Sequence, residues 1–135
     1  MKIFDGHNAV LGRLATVAAK NLLNGEEVAV VNSERIIITG NPKSIISKYV
    51  KMRQIGSPQH GPFFPKRPDA IVHRTIRSML PYKTNKGRAA LKNLRVYVGT
   101  PKDFAGKDID KIATKAVKTD FIRIGEVAKI IGWNE

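Results

Sequence analysis

Residues 2–32, KIFDGHNAVLGRLATVAAKNLLNGEEVAVVN, decide the fold. Lys2 to Asp5 reads as a short strand. Leu11, Leu14, Ala15, Ala18 and Leu22 then recur at helical spacing until Asn24-Gly25 supplies a left-handed stop. Val28, Val30 and Val31 follow within Glu27 to Asn32, a nearly continuous β-branched run bounded by polar turns. That is the pattern of a strand buried on both faces in a parallel sheet. Strand, helix and parallel strand in this order predict a right-handed βαβ crossover. Gly12-Arg13 stands where a helix follows a strand, and the free N–H groups of such a helix start can bind phosphate. The simpler reading is that Gly12 only allows close helix–sheet packing, and we adopt it for Gly12. Arg13 stays open as a contact, because its period points it outward between the core positions Leu11 and Leu14.

Working outward, Ile36, Ile37 and Ile38 make a short strand within Arg35 to Gly40, and Asn41-Pro42 reads as an N-cap followed by proline at the first helical position. A helix runs from there to about Arg53. Gly40-Asn41-Pro42-Lys43-Ser44 is not a phosphate loop: the position before the lysine needs a glycine amide, and Pro42 has no N–H. Residues 54–67 have no usable period and contain Pro58, Pro62, Pro65, Gly56 and Gly61. Loops this long inside a compact domain are usually functional or disordered. His60, Phe63 and Phe64 offer planar faces on which unpaired bases could stack, although the two phenylalanines could equally pin the loop to the core. Lys66 and Arg67 end the stretch as candidate phosphate contacts.

The next helix starts at Pro68, with Asp69 in its positive first turn. A 100° rotation per residue gathers Ile71, Val72, Ile76, Met79 and Leu80 on one half and His73, Arg74 and Arg77 on the other. No acid on this helix is placed to pair with those arginines. Leu80-Pro81 ends it, Tyr82 to Gly87 is a basic turn, Arg88 to Asn93 a short helix and Leu94 to Val98 another strand. Beyond residue 100, Ile109, Ile112, Ala116 and Val117 suggest an amphipathic helix, Phe121 to Ile124 an extended piece, and Glu126 to Ile131 a final helix. This C-terminal extension, 100–135, looks like packing or protein contact.

Charge divides the chain in the same way. Lys43 to Arg95 holds thirteen Lys or Arg residues and one acid, Asp69, whereas the segments on either side are almost neutral, so nearly all of the net +13 lies in the middle. A one-sided block of this size repels itself unless a polyanion neutralises it, and nucleic acid is the polyanion that fits. With 135 residues and 42% hydrophobic content, the chain supports one domain, 1–135, with a core of its own. The absence of cysteine excludes disulfides, thiolate zinc sites and cysteine nucleophiles, and suits the cytosol. No apolar run approaches the ~20 residues of a membrane span, and the first residues lack the apolar core of a signal peptide.

Catalytic chemistry finds no support. His7, His60 and His73 show no zinc spacing, the basic region lacks the paired carboxylates that would hold magnesium, and Ser33 and Ser44 lack the glycines of a nucleophile elbow. Asp103, Asp108 and Asp110 are interrupted by lysines and do not form a calcium loop. The reading is therefore a non-enzyme without cofactor, metal or small-molecule substrate. A free RNA-binding or RNA-chaperone protein would use the same basic patch, and an RNA-processing enzyme would need a catalytic group that the sequence does not display.

Asp5, Leu11-Gly12-Arg13-Leu14-Ala15, Val30-Val31-Asn32-Ser33-Glu34, Thr39-Gly40-Asn41, Lys48-Tyr49, Arg74-Thr75-Ile76-Arg77-Ser78-Met79-Leu80-Pro81 and Leu94-Arg95-Val96-Tyr97 together resemble the ribosomal protein L13 family of the large subunit. The likeness covers about the first hundred residues in order. The direct start at the strand, the His60-Gly61-Pro62 loop and the long C-terminal part look like its archaeal and eukaryotic branch. Ser78 departs from it, standing where the family often has glycine. The resemblance implies a three-layer α/β/α fold around a small, mainly parallel sheet of about four strands. It also implies a cytoplasmic structural protein bound to large-subunit ribosomal RNA beside neighbouring large-subunit proteins. Carried over by position, it implies RNA contacts at Arg13, Lys48, Arg53, His60, Lys66, Arg67, Arg74, Arg77, Lys83, Lys86, Arg88 and Lys92. These would clamp folded RNA by phosphate and shape rather than by base edges.

Overall fold

The valine-rich run becomes the middle of the molecule. In the computed structural model, which describes residues 2–55, 59, 61, 64–104, 109–111 and 119–133, all four residues of strand β2 (Val28–Val31) are buried. Strand β1 (Lys2–Asp5) runs parallel to it, with Ile3 opposite Ala29 and Phe4 opposite Val30. Between them lies helix α1 (Leu11–Leu23), which buries Leu11, Leu14, Ala15, Ala18, Ala19 and Leu22. Gly25 follows it at φ 86°, in the left-handed region that glycine enters without a Cβ clash.

The rest of the chain is added around this unit. After a 3₁₀ turn at Ser33–Arg35 come strand β3 (Ile37–Thr39) and helices α2 (Pro42–Gln54), α3 (Pro68–Ser78) and α4 (Asn85–Lys92). Then follow strand β4 (Leu94–Val96), a second 3₁₀ turn at Lys102–Phe104, strands β5 (Asp110–Lys111) and β6 (Phe121–Arg123), and helix α5 (Ile124–Ile130). The main sheet has the order β4-β2-β1-β5 with every pair parallel. The Ile36–Ile38 segment does not extend it. Instead β3 pairs antiparallel with β6, Ile38 opposite Ile122, in a separate two-stranded sheet.

Alternation along β1 and β2 sorts side chains to the two faces of the main sheet. Phe4, Val28, Val30 and Leu94 join the large core made with α1 and α3, while Ile3, Ala29 and Val31 join Phe104 on the opposite face. There Tyr97 meets Phe104 edge-on, ring centroids 5.4 Å apart. Helices α3 and α4 flank α1, so one face of the sheet carries a layer of three helices.

Four expectations are corrected. Met79 is 42% exposed rather than core, because α3 ends at Ser78 and the chain turns there; Leu80, expected on the same half, is buried. Helix α4 begins at Asn85, three residues before Arg88, since the Thr84 hydroxyl caps it by accepting the Gly87 amide at 3.2 Å. Gly87 is required there, because a Cβ would overlap the Pro81 carbonyl. Gly12 is exposed, with nothing within 4 Å of where its Cβ would stand, so close packing does not account for it. Asp110 and Lys111 extend the sheet where a helix through Ile109 was expected, and Ile112, Ala116 and Val117 lie outside the described residues.

Candidate nucleic-acid interface

The helical layer concentrates the charge. Helices α1, α3 and α4 carry Arg13, Lys20, Arg74, Arg77, Lys86, Arg88 and Lys92 against a single acid, Asp69. Their apolar residues face the sheet, so these cations are left on the outer side. Arg13, Lys86, Arg88 and Lys92 are exposed, as is Lys83 in the turn before α4. Among the described residues none of these five forms an ion pair. Asp69 is engaged at the start of α3: its carboxylate lies 3.4 Å from the Arg67 Nε and accepts the Ala70 amide at 2.9 Å.

The two arginines of α3 are held rather than free. Arg74 lies with its guanidinium carbon 5.0 Å from the centre of the Phe64 ring, and Arg77 is equally far from that of Tyr82. Stacking on an aromatic face fixes the guanidinium plane while its N–H edge stays available for an anion. The Arg77 Nε is buried and has no hydrogen-bond partner among the described residues. Burial lowers the pKa of neighbouring His73, and Arg77 and Arg95 lower it further against the opposing pull of Asp69. Near neutral pH His73 is therefore an uncharged ring on this otherwise cationic helix.

Phe64 joins three elements. Its carbonyl accepts a 2.6 Å hydrogen bond from the exposed Arg53 at the end of α2, its ring carries Arg74, and Tyr49 meets that ring edge-on at 5.8 Å. So Phe64 does pin the loop to the core cluster, and it also lines a groove of about 530 Å³ between α1, β3, α2 and α3. Lys48 and Arg74 line that groove with Gly12, Thr39, Tyr49, Thr75 and Ser78, and no carboxylate is among its described lining residues. Burial raises the pKa of Tyr49, so its hydroxyl stays protonated. The structure thus brings Lys48, Arg53 and Arg74 together. Tyr49 belongs to the Lys48-Tyr49 segment that carries the family resemblance but is not among the residues expected to contact RNA, although an aromatic beside a lysine on a basic helix is the available signal.

Lys66 and Arg67 stand apart from that group. They line a second hollow of about 660 Å³ with Glu34, Val98, Gly99, Gly132 and Trp133. His60 and Phe63 lie outside the described residues. Near this hollow the ends of the parallel strands are tied by polar groups. Asn32, at φ 56°, donates to the Asp5 carboxylate at 3.0 Å, and the Glu34 carboxylate accepts the Gly99 amide at 2.9 Å. Open α/β sheets bind ligands at such strand ends, yet here the chain's own groups are bonded to one another. That gives Asp5, Asn32 and Glu34 a structural role, whereas the buried Ser33 hydroxyl has no hydrogen-bond partner among the described residues. Among the described residues no cluster of His, Asp or Glu could hold a metal ion, and no helix is long and apolar enough to cross a membrane.

Comparison with known proteins agrees with this architecture. The family described as "Ribosomal protein L13" matches residues 1–103. The "Large ribosomal subunit protein uL13" of Methanopyrus kandleri is 45% identical over 125 residues, covering 93% of this chain and 77% of that protein. Its namesake from Methanocaldococcus jannaschii is 46% identical over 136 residues and 98% of both chains, and that from Haloarcula marismortui 42% identical over 98% and 92%. These matches run through β1, α1, β2, α3 and β4, the elements that build the sheet and the basic layer, and the chain belongs to the ribosomal protein L13 family.

Proposed function

We propose that this chain is a structural constituent of the large ribosomal subunit, where the outer side of its helical layer binds and holds folded ribosomal RNA in the cytoplasm. One observation carries the reading: seven cations on three adjacent helices face a single acid, and that acid is engaged by Arg67. Neutralising phosphates with fixed cations releases counterions, which supplies affinity without reading bases. The exposed Arg13, Lys83, Lys86, Arg88 and Lys92 act as phosphate contacts, Arg74 and Arg77 as oriented ones, and Lys48, Arg53, Lys66 and Arg67 extend the surface on either side. His60, which lies outside the described residues, belongs to the same set by the family resemblance alone. Neighbouring large-subunit proteins meet the nearly neutral C-terminal extension, 100–135.

The chain should co-sediment with large subunits and leave them only at high salt; recovery mainly as free protein would sink the proposal. Incubation of pure protein with RNA and magnesium should leave the RNA intact. Replacing both Arg74 and Arg77 with alanine should lower the salt slope of log K by roughly 1.4 to 2, the value for two phosphates. The double lysine variant should keep the slope, and an unchanged slope in the alanine variant would mean that this face is only solvated.

A further inference from the structure

Helix α1 starts in an unusual way. Its N-cap is Val10, which offers no side-chain hydrogen bond, and its first turn holds no acid, so neither device that normally satisfies a helix start is present. The second residue is Gly12, a poor helix former that costs about 1 kcal/mol relative to alanine. Among the described residues nothing lies within 4 Å of where its Cβ would be, so their packing does not demand a glycine. Val10, Leu11 and Gly12 instead line the 530 Å³ groove, together with Lys48 and Arg74.

The groove has two chemistries. Around the helix start lie the backbone amides of Gly12 and Arg13, for which the described residues supply no acceptor, and two cations with no described carboxylate among the lining, which is the donor set of a phosphate site. Deeper, Ile37, Ile38 and Ile71 combine with the half-buried rings of Tyr49 and Phe64 to make an apolar, aromatic lining. Its volume falls within the roughly 300–1,000 Å³ typical of small-ligand pockets. A ligand that matches both halves is planar at one end and anionic at the other. An apolar side chain of a neighbouring protein would fill the lining and leave the cations and amides unanswered.

We infer that this groove receives one unstacked nucleotide of the bound RNA, the base against Tyr49 and Phe64 and its phosphate at the α1 start between Lys48 and Arg74. Gly12 then lacks a side chain so that a phosphate can approach the amides. The inference rests on the RNA-binding reading above and adds to it a site that takes a base, where the rest of the surface takes phosphate alone.

The test uses the full chain with two probes, a single-stranded RNA decamer and a fully abasic ribose-phosphate strand of the same length and charge. One stacked base is worth about 1–3 kcal/mol, so the base-bearing strand should bind roughly five- to 150-fold more tightly. It should also shift the ring protons of Tyr49 and Phe64 in NMR spectra. Thr39→Phe, at an exposed position on the groove wall, should bring the ratio of the two affinities to about one. Gly12→Ala should leave the melting temperature unchanged or higher while weakening the base-bearing strand about tenfold, the loss of one charge-assisted hydrogen bond. Equal binding of both strands by the wild type, a preference that survives Thr39→Phe, or full affinity in Gly12→Ala would overturn the nucleotide site and leave the RNA-binding reading standing. Binding of neither strand would overturn both.

Discussion

Helices α1 and α2 are both thirteen residues long, and they are stabilised by opposite means. α1 buries six residues and has no side-chain cap; α2 buries none, yet has the Asn41 side chain accepting the Lys43 amide at 3.0 Å and proline in its first turn. Isolated helices of this length are marginal in water, so each needs help from outside its own hydrogen bonds. For α1 that help is the sheet and the core. α2 packs mainly on α5 and β6 and leans on local capping instead. It is also the more basic, with Lys43, Lys48, Lys51 and Arg53 and no acid, against Arg13 and Lys20 in α1. One helix is finished by the fold, and the other leaves work for a partner.

The largest expected effect comes from testing that division by truncation. Leu14→Ala removes a fully buried side chain from α1 and should cost about 3–5 kcal/mol in denaturant unfolding. Ile46→Ala, at a half-buried position of α2, should cost less than about 1 kcal/mol, in keeping with a site where little surface is removed from water. Equal costs would break the comparison and make α2 part of the cooperative core.

A smaller effect separates local from global stability. Asn41→Ala removes the cap of α2 and should cost that helix about 1 kcal/mol, speeding amide exchange between residues 43 and 53 about fivefold. The amides of α1 should exchange at an unchanged rate. If both helices respond together, α2 does not open on its own.

The same contrast explains what could be read from the sequence. The β1-α1-β2 unit was legible almost to the residue, because burial on one side of a helix and both sides of a strand leaves period and composition behind. The partner of β3 was not, since the pairing of Ile37–Thr39 with Phe121–Arg123 spans more than eighty residues and neither strand declares the other. The start of α4 was hidden by Gly87, which resembles a turn residue but is needed where the helix crosses Pro81. At the interface, the arginine face of α3 followed from periodicity and charge alone. The groove did not, because Gly12, Thr39, Tyr49, Phe64 and Ser78 come from five separate parts of the chain and carry no shared motif. Gly12 was misread for the same reason: a glycine in a helix signals close packing in sequence, and only the empty space beside it shows otherwise.

The smallest expected effect concerns pH, and it places α3 between the two cases. Its apolar half is finished by the core, as in α1, and its polar half holds His73 among like charges. Burial comes first in lowering the His73 pKa, then Arg77 and Arg95, with Asp69 opposing. The folded ring therefore resists a proton that the unfolded chain accepts near pH 6.5. Stability is fully present above that pH and declines as pH falls below it toward the lower folded pKa, and His73→Gln should remove this part of the decline. Bound RNA reverses the local field. Phosphates beside Arg77 offset the charges that disfavour the imidazolium, so RNA should raise the His73 pKa and bind more tightly as pH falls through the same range. NMR titration of the His73 ring with and without RNA measures the rise, and RNA affinity measured above and below about pH 6.5 measures its counterpart in binding. A His73 pKa that RNA leaves unmoved would mean that phosphate does not reach this side of α3, and that the charged face next to the core is as solvated as the outer side of any surface helix.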